Sequence, residues 1–159
     1  MLARGHRTFA ALALLGAVSG CNRYALFNQA GYEQASFSNN ADILFVVDNS
    51  CSMSQEQGLL GAAAQNFFDE LDLVGIDYHV GVVTTDSGAL QGVVPIIDNS
   101  TPNPTIEFAA NVDVGTTGSF EEKAFFFAHA ALTDPFLQGT NAGFQRPGSD
   151  LMVIIVTDE

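Results

Sequence analysis

Hydrophobic and polar positions alternate in blocks along this chain. "ADILFVVD" (41–48) is a continuous apolar, β-branched run, the pattern of a strand covered on both faces. Ser54-Gln55-Glu56-Gln57 then has the form of a capping box. Leu59, Leu60, Ala63, Ala64, Phe67, Phe68 and Leu71 follow at helical spacing, and Gly75 closes the segment. "DYHVGVVTTD" (77–86) predicts a second buried strand. "ALQGVVPII" (89–97) lies close enough behind it to be a hairpin partner, with Pro95 suited to a sheet edge.

Residues 98–118 are rich in Asn, Pro, Thr and Gly and read as loop. "SFEEKAFFFAHAAL" (119–132) predicts a helix, with Ser119-x-x-Glu122 as a second capping box. The Phe125-Phe126-Phe127 run reads as core or as an amphipathic face. A long loop leads to "LMVIIVTDE" (151–159), another apolar strand ending in acids. Strand, helix, strand, helix, strand is an α/β alternation with a mostly parallel sheet. Such sheets place their sites beyond the carboxyl ends of the strands. Two strands end there in oxygen-rich segments, "FVVDNSCS" and "IIVTDE".

Composition agrees with one folded domain. The 159 residues are 47% hydrophobic and 14% charged, which excludes a disordered polyelectrolyte. The net charge is −13. Removing residues 1–20 takes away Arg4 and Arg7 and no acid, leaving −15. A chain this acidic has no basic face for nucleic acid and is repelled by anionic lipid.

The N-terminus reads as a targeting segment. Arg4, His6 and Arg7 precede the apolar "TFAALALLGAV", and Val18-Ser19-Gly20-Cys21 resembles a bacterial lipobox. That resemblance implies cleavage after residue 20, lipid on Cys21, and a tether over residues 21–40. Membrane attachment is then through the lipid anchor only. Asn22 rather than Asp follows the cysteine, so no inner-membrane retention signal is present and the outer membrane of the cell envelope is the expected location.

Asp48-x-Ser50-x-Ser52 resembles the metal-ion-dependent adhesion site of von Willebrand factor type A (VWA) domains. The likeness covers residues 41–159, including Met53 after the second serine. It implies a doubly wound, mostly parallel sheet flanked by helices and lacking its last strands, so that the chain is expected to be part of a longer protein. It also implies a threonine from a second loop, Thr116 or its neighbour Thr117 in "DVGTTGSFEE", and an aspartate after the fourth strand, Asp158. Ser50 and Ser52 would bind the cation directly, Thr116 directly or through water, and Asp48 and Asp158 would neutralise its charge. Hydroxyl and carboxylate oxygens are hard ligands suited to Mg²⁺, Mn²⁺ or Ca²⁺. In that family the open coordination position takes an acidic residue of a protein partner.

A metal-assisted hydrolase and a scaffold with an inactive metal site are the competing readings. Asp48, Ser50 and Ser52 also suit an ordinary turn and N-cap. No general base is evident beyond the acids assigned to the metal. His79 and His129 fall within a strand and a helix and read as structural, and Cys51 has no basic neighbour to activate its thiol. By resemblance to related lipoproteins, Cys51 is expected to pair with a cysteine beyond residue 159.

Overall fold

The computed structural model describes residues 39–158. The expected signal segment, Cys21 and the tether as far as residue 38 lie outside the described residues. The described chain is a mixed α/β fold of four strands and three helices. Three strands are parallel: β1 (Asn40–Val47), β2 (Asp77–Thr84) and β4 (Asp150–Val156). The short β3 (Ile97–Asp98) runs antiparallel to β2, and the sheet order is β3-β2-β1-β4.

β1 is central and its residues are divided between two cores. Ile43, Phe45 and Val47 point to one face, with Tyr78, Val80 and Val82 of β2. Helices α1 (Ser54–Val74) and α2 (Pro104–Val112) cover that face through Ala64, Phe68, Phe108 and Val112. Phe45 meets Phe108 edge-on, with ring centres 4.9 Å apart. Leu44 and Val46 point the other way, to Ala128 and Ala131 of α3 (Ala124–Ala131) and to Phe144. Burial on both faces is why β1 reads as an unbroken apolar run.

α1 ends as its glycine requires. Gly75 adopts φ 70°, its N–H bonds the carbonyl of Asp72, and the N–H of Ile76 reaches back to Leu71. This is a Schellman closure, with Leu71 and Ile76 both packed against the core.

Several elements depart from expectation. Neither capping box forms, since α1 and α3 start at Met53 and Lys123 without a side-chain cap. Leu59 is 60% exposed and lies outside the buried stripe of α1. The 89–97 strand shrinks to its last residue plus Asp98. Gly92 turns the chain at φ 88°, the N–H of Leu90 goes to the side chain of Asn141, and Pro95 has no N–H to offer. Residues 98–118 are not all loop, because Pro104 opens α2, where a proline costs no hydrogen bond. Residues 119–123 are not helical: the Ser119 N–H donates to Asp86 and the Ser119 hydroxyl accepts from the Glu121 N–H, contacts that compete with a helical turn.

Candidate metal centre

The site grows from the register of the parallel strands. Val47 is level with Thr84 on one side and Val156 on the other. The next residues, Asp48, Thr85 and Thr157, therefore form a row across the carboxyl ends of β2, β1 and β4. The Thr85 hydroxyl is shared between Asn49 Oδ1 at 3.1 Å and Asp48 Oδ1 at 3.4 Å, and the Thr157 hydroxyl donates to Asp48 Oδ2 at 3.3 Å. The Ser50 N–H donates to Oδ1 at 2.7 Å. Asp48 itself is fully buried.

A second loop is fastened to this row. Gln57, buried in the first turn of α1, donates from Nε2 to the carbonyls of Asp48 and Gly115, each at 2.9 Å. The Gly118 N–H donates to the Asn49 carbonyl at 2.8 Å. Thr116 and Thr117 are thus held between two anchors on residues 48–49, with Thr116 half-buried and Thr117 exposed. A Cβ on Gly118 would lie 2.4 Å from Asn49 Oδ1, so the close approach depends on glycine.

The structure brings Asp48, Ser50 and Ser52 together, with the two serine hydroxyls 3.2 Å apart. The loop of Thr116 is brought to them. Asp158 follows Thr157 at the same strand end and is exposed. Thr157, one residue earlier than the expected Asp158, is the group in contact with Asp48. It also lies 3.3 Å from Glu122 Oε2, so one hydroxyl stands between two carboxylates. Cys51 is exposed with a free thiol. His79 donates from Nδ1 to the Phe144 carbonyl, a structural role.

Thr85, Thr157, Gln57 and Glu122 join the site although the motif does not include them. Thr85 and Thr157 were legible in principle, because parallel strands ending in Val47, Thr84 and Val156 put the following residues side by side. Gln57 and Glu122 fit capping-box patterns, which carry no signal for their long-range partners.

The donor set fits a hard divalent cation. Lys123 and Arg146 are the only Lys or Arg residues in the described segment. Lys123 pairs with Glu121 at 2.8 Å, and Arg146 pairs with Asp42 and Asp77 at 2.8 and 2.7 Å. Asp42 of β1, the other buried carboxylate, therefore has its arginine, while Asp48, just past the strand, has only neutral donors among the described residues. A buried carboxylate without counter-charge is costly. Neighbouring oxygens around an octahedral Mg²⁺ lie about 3 Å apart, and those around Ca²⁺ about 3.4 Å. The two serine hydroxyls, hydrogen-bonded to each other at 3.2 Å, already stand at neighbouring-ligand distance. Among the described residues no three His, Cys, Asp or Glu side chains group together as a metal site, so any cation here must rely on hydroxyls.

Comparisons with protein-family models, with curated proteins and with solved structures found no match.

Proposed function

We propose that this chain is a cation-dependent binding module of the von Willebrand factor type A kind, gripping an acidic residue of a protein partner. The observation that carries the reading is Asp48: fully buried at the end of the central strand, surrounded by hydroxyl and amide donors, and without a basic partner among the described residues. The sheet order, with helices on both faces, supports the same reading.

Asp48, Ser50, Ser52, Thr116 and Asp158 would hold the ion, with Mg²⁺ as the first choice and Mn²⁺ or Ca²⁺ as alternatives. When bound, the ion supplies a positive centre to which a partner's carboxylate attaches. The chain's own residues prepare that position. Asp48 accepts the Ser50 N–H and so fixes the turn carrying both serines. Gln57 ties the Thr116 loop to the end of β1. Anchorage through lipid on Cys21 would place the module on the cell envelope.

Calorimetric titration of the chain with MgCl₂ and MnCl₂ tests this. Binding heat that Asp48→Asn abolishes is expected, together with EDTA-sensitive capture of a protein partner. Heat that is absent, or unchanged by Asp48→Asn, would leave the scaffold reading in its place. Palmitate labelling lost in Cys21→Ser checks the anchor.

A further inference from the structure

We propose that Asn49 is a positioning residue that latches the Thr116 loop to this site and couples that loop to Asp48. The inference rests on the cation reading above and adds to it the group that places its second loop. Asn49 holds Gly118 in two ways. Its carbonyl accepts the Gly118 N–H at 2.8 Å. Its side-chain amide packs against the same residue, so closely that a Cβ on Gly118 would lie 2.4 Å from Oδ1, 2.5 Å from Cγ and 2.7 Å from Nδ2. These amide atoms are the three nearest neighbours of that position. Gly118 is not in the left-handed region, so backbone conformation does not demand glycine there; the amide of Asn49 does.

Thr85 sets how that amide is held. It is 1% exposed, and its hydroxyl lies 3.1 Å from Asn49 Oδ1 and 3.4 Å from Asp48 Oδ1. One hydrogen cannot be donated fully to both acceptors. The claim of the carboxylate is charge-assisted and that of the amide is not. Once the charge of Asp48 is balanced, Thr85 gives its hydrogen to Asn49 and fixes the amide against Gly118. The other end of the loop is fastened by Gln57, which bonds two main-chain carbonyls and shares no donor with the Asp48 side chain. The Asn49 end is therefore the one that responds to Asp48. Balancing Asp48 and placing Thr116 favour each other, since such coupling is reciprocal.

The test uses the full chain with Mn²⁺ alone as probe, and circular dichroism to confirm folding of each variant. Hydrogen exchange at the Gly118 N–H, measured in EDTA, reads the latch without metal. Asn49→Ala should speed that exchange and bind Mn²⁺ roughly tenfold more weakly. Gly118→Ala should bind more weakly still, because its methyl pushes the loop off the amide. In Asn49→Ala/Gly118→Ala the methyl enters the space the amide has left, and affinity should recover to that of Asn49→Ala alone. Losses that simply add would overturn the proposal. Thr85→Val should speed exchange at Gly118 and Thr85→Ser should not; equal exchange in these two variants would also overturn it. So would equal Mn²⁺ affinity in Asn49→Ala and wild type, and if Asp48→Asn then abolishes binding the cation reading still stands. Mn²⁺ binding that is absent from the wild type, or that survives Asp48→Asn, would overturn both.

Discussion

Asp48 and Thr157 stand 109 residues apart in the chain and 3.3 Å apart in space, the threonine hydroxyl donating to Oδ2 of the buried carboxylate. The contact follows from register, since Val47 and Val156 are partners in neighbouring parallel strands. Thr157→Val keeps the shape and removes the donor. It should cost about 1–2 kcal/mol, the penalty for leaving a buried acceptor short of a donor. Urea denaturation in EDTA measures this, and an unchanged midpoint would show that the contact carries no energy. Mn²⁺ affinity should fall in the same variant.

Gln57 gives a second prediction. Its Nε2 spans the carbonyls of Asp48 and Gly115, which joins two loops through one side-chain amide. Gln57→Ala removes both bonds and should destabilise by about 2 kcal/mol. Gln57→Glu should be worse than Ala, because an ionised carboxylate would face two carbonyl oxygens with no proton to donate. Hydrogen exchange should speed up at the Gly118 N–H in both variants, and Mn²⁺ binding should weaken with it. Unchanged exchange at Gly118 would mean that the Thr116 loop holds its place without Gln57.

The parts of this architecture legible in sequence are those set by local pattern. The β1 and β2 runs show because both faces of each strand are buried, and Gly75 shows because a left-handed helix end favours glycine. The Asp48-x-Ser50-x-Ser52 turn shows because it is contiguous. What stayed hidden depends on distant partners. Asn141 claims the Leu90 N–H that a hairpin strand would have used. Asp86 claims the Ser119 N–H and delays the start of α3. Thr85 and Thr157 matter only through their register with Asp48, and Gln57 only because Gly115 folds over it. A capping-box pattern describes a helix start and is silent on which long-range acceptor a glutamine finds.

Asp98 makes the pH dependence testable. The Ser100 hydroxyl at 2.7 Å holds its carboxyl below the ordinary value; the Ser100 N–H and the Thr101 hydroxyl add to this, and partial burial opposes it. A lowered folded-state pKa means that the unfolded chain takes up the proton first as pH falls. The stabilisation is therefore fully present above the unfolded value, about 3.9. It is lost as pH drops from there through the folded value. Asp98→Asn should lower the melting temperature at pH 7, and the gap to wild type should close in acid. A gap that stays constant with pH would show that the Ser100 bonds do not favour the ionised form.

Arg146 tests the contrast between the two ends of β1. Asp42 is 1% exposed and accepts from Arg146 twice, from the backbone N–H at 2.6 Å and from Nε at 2.8 Å. Arg146 also bonds Asp77 Oδ1 and the carbonyls of Ala41 and Asp77. Burial works against the guanidinium charge, but the bonds to Asp42 and Asp77 outweigh it and hold its pKa above the ordinary value. Arg146→Met should cost about 3–5 kcal/mol, because it strands a buried carboxylate. Asp77→Asn should cost less than about 1 kcal/mol, its side chain being 61% exposed. Adding Asp42→Asn to Arg146→Met should recover part of the loss, since the stranded charge is then gone. Cation affinity should be untouched in all three, as Asp42 and Asp48 lie about 20 Å apart along the strand. In Asp48→Asn the sign should differ: with EDTA present, neutralising a carboxylate that has no basic partner among the described residues should leave stability unchanged or raise it, and only the stabilisation by added Mg²⁺ should vanish. At a hundredfold excess of Mg²⁺ over its dissociation constant that stabilisation is about 2.7 kcal/mol in the wild type. A large loss in Asp48→Asn without metal would mean that Asp48, like Asp42, is satisfied by the protein alone.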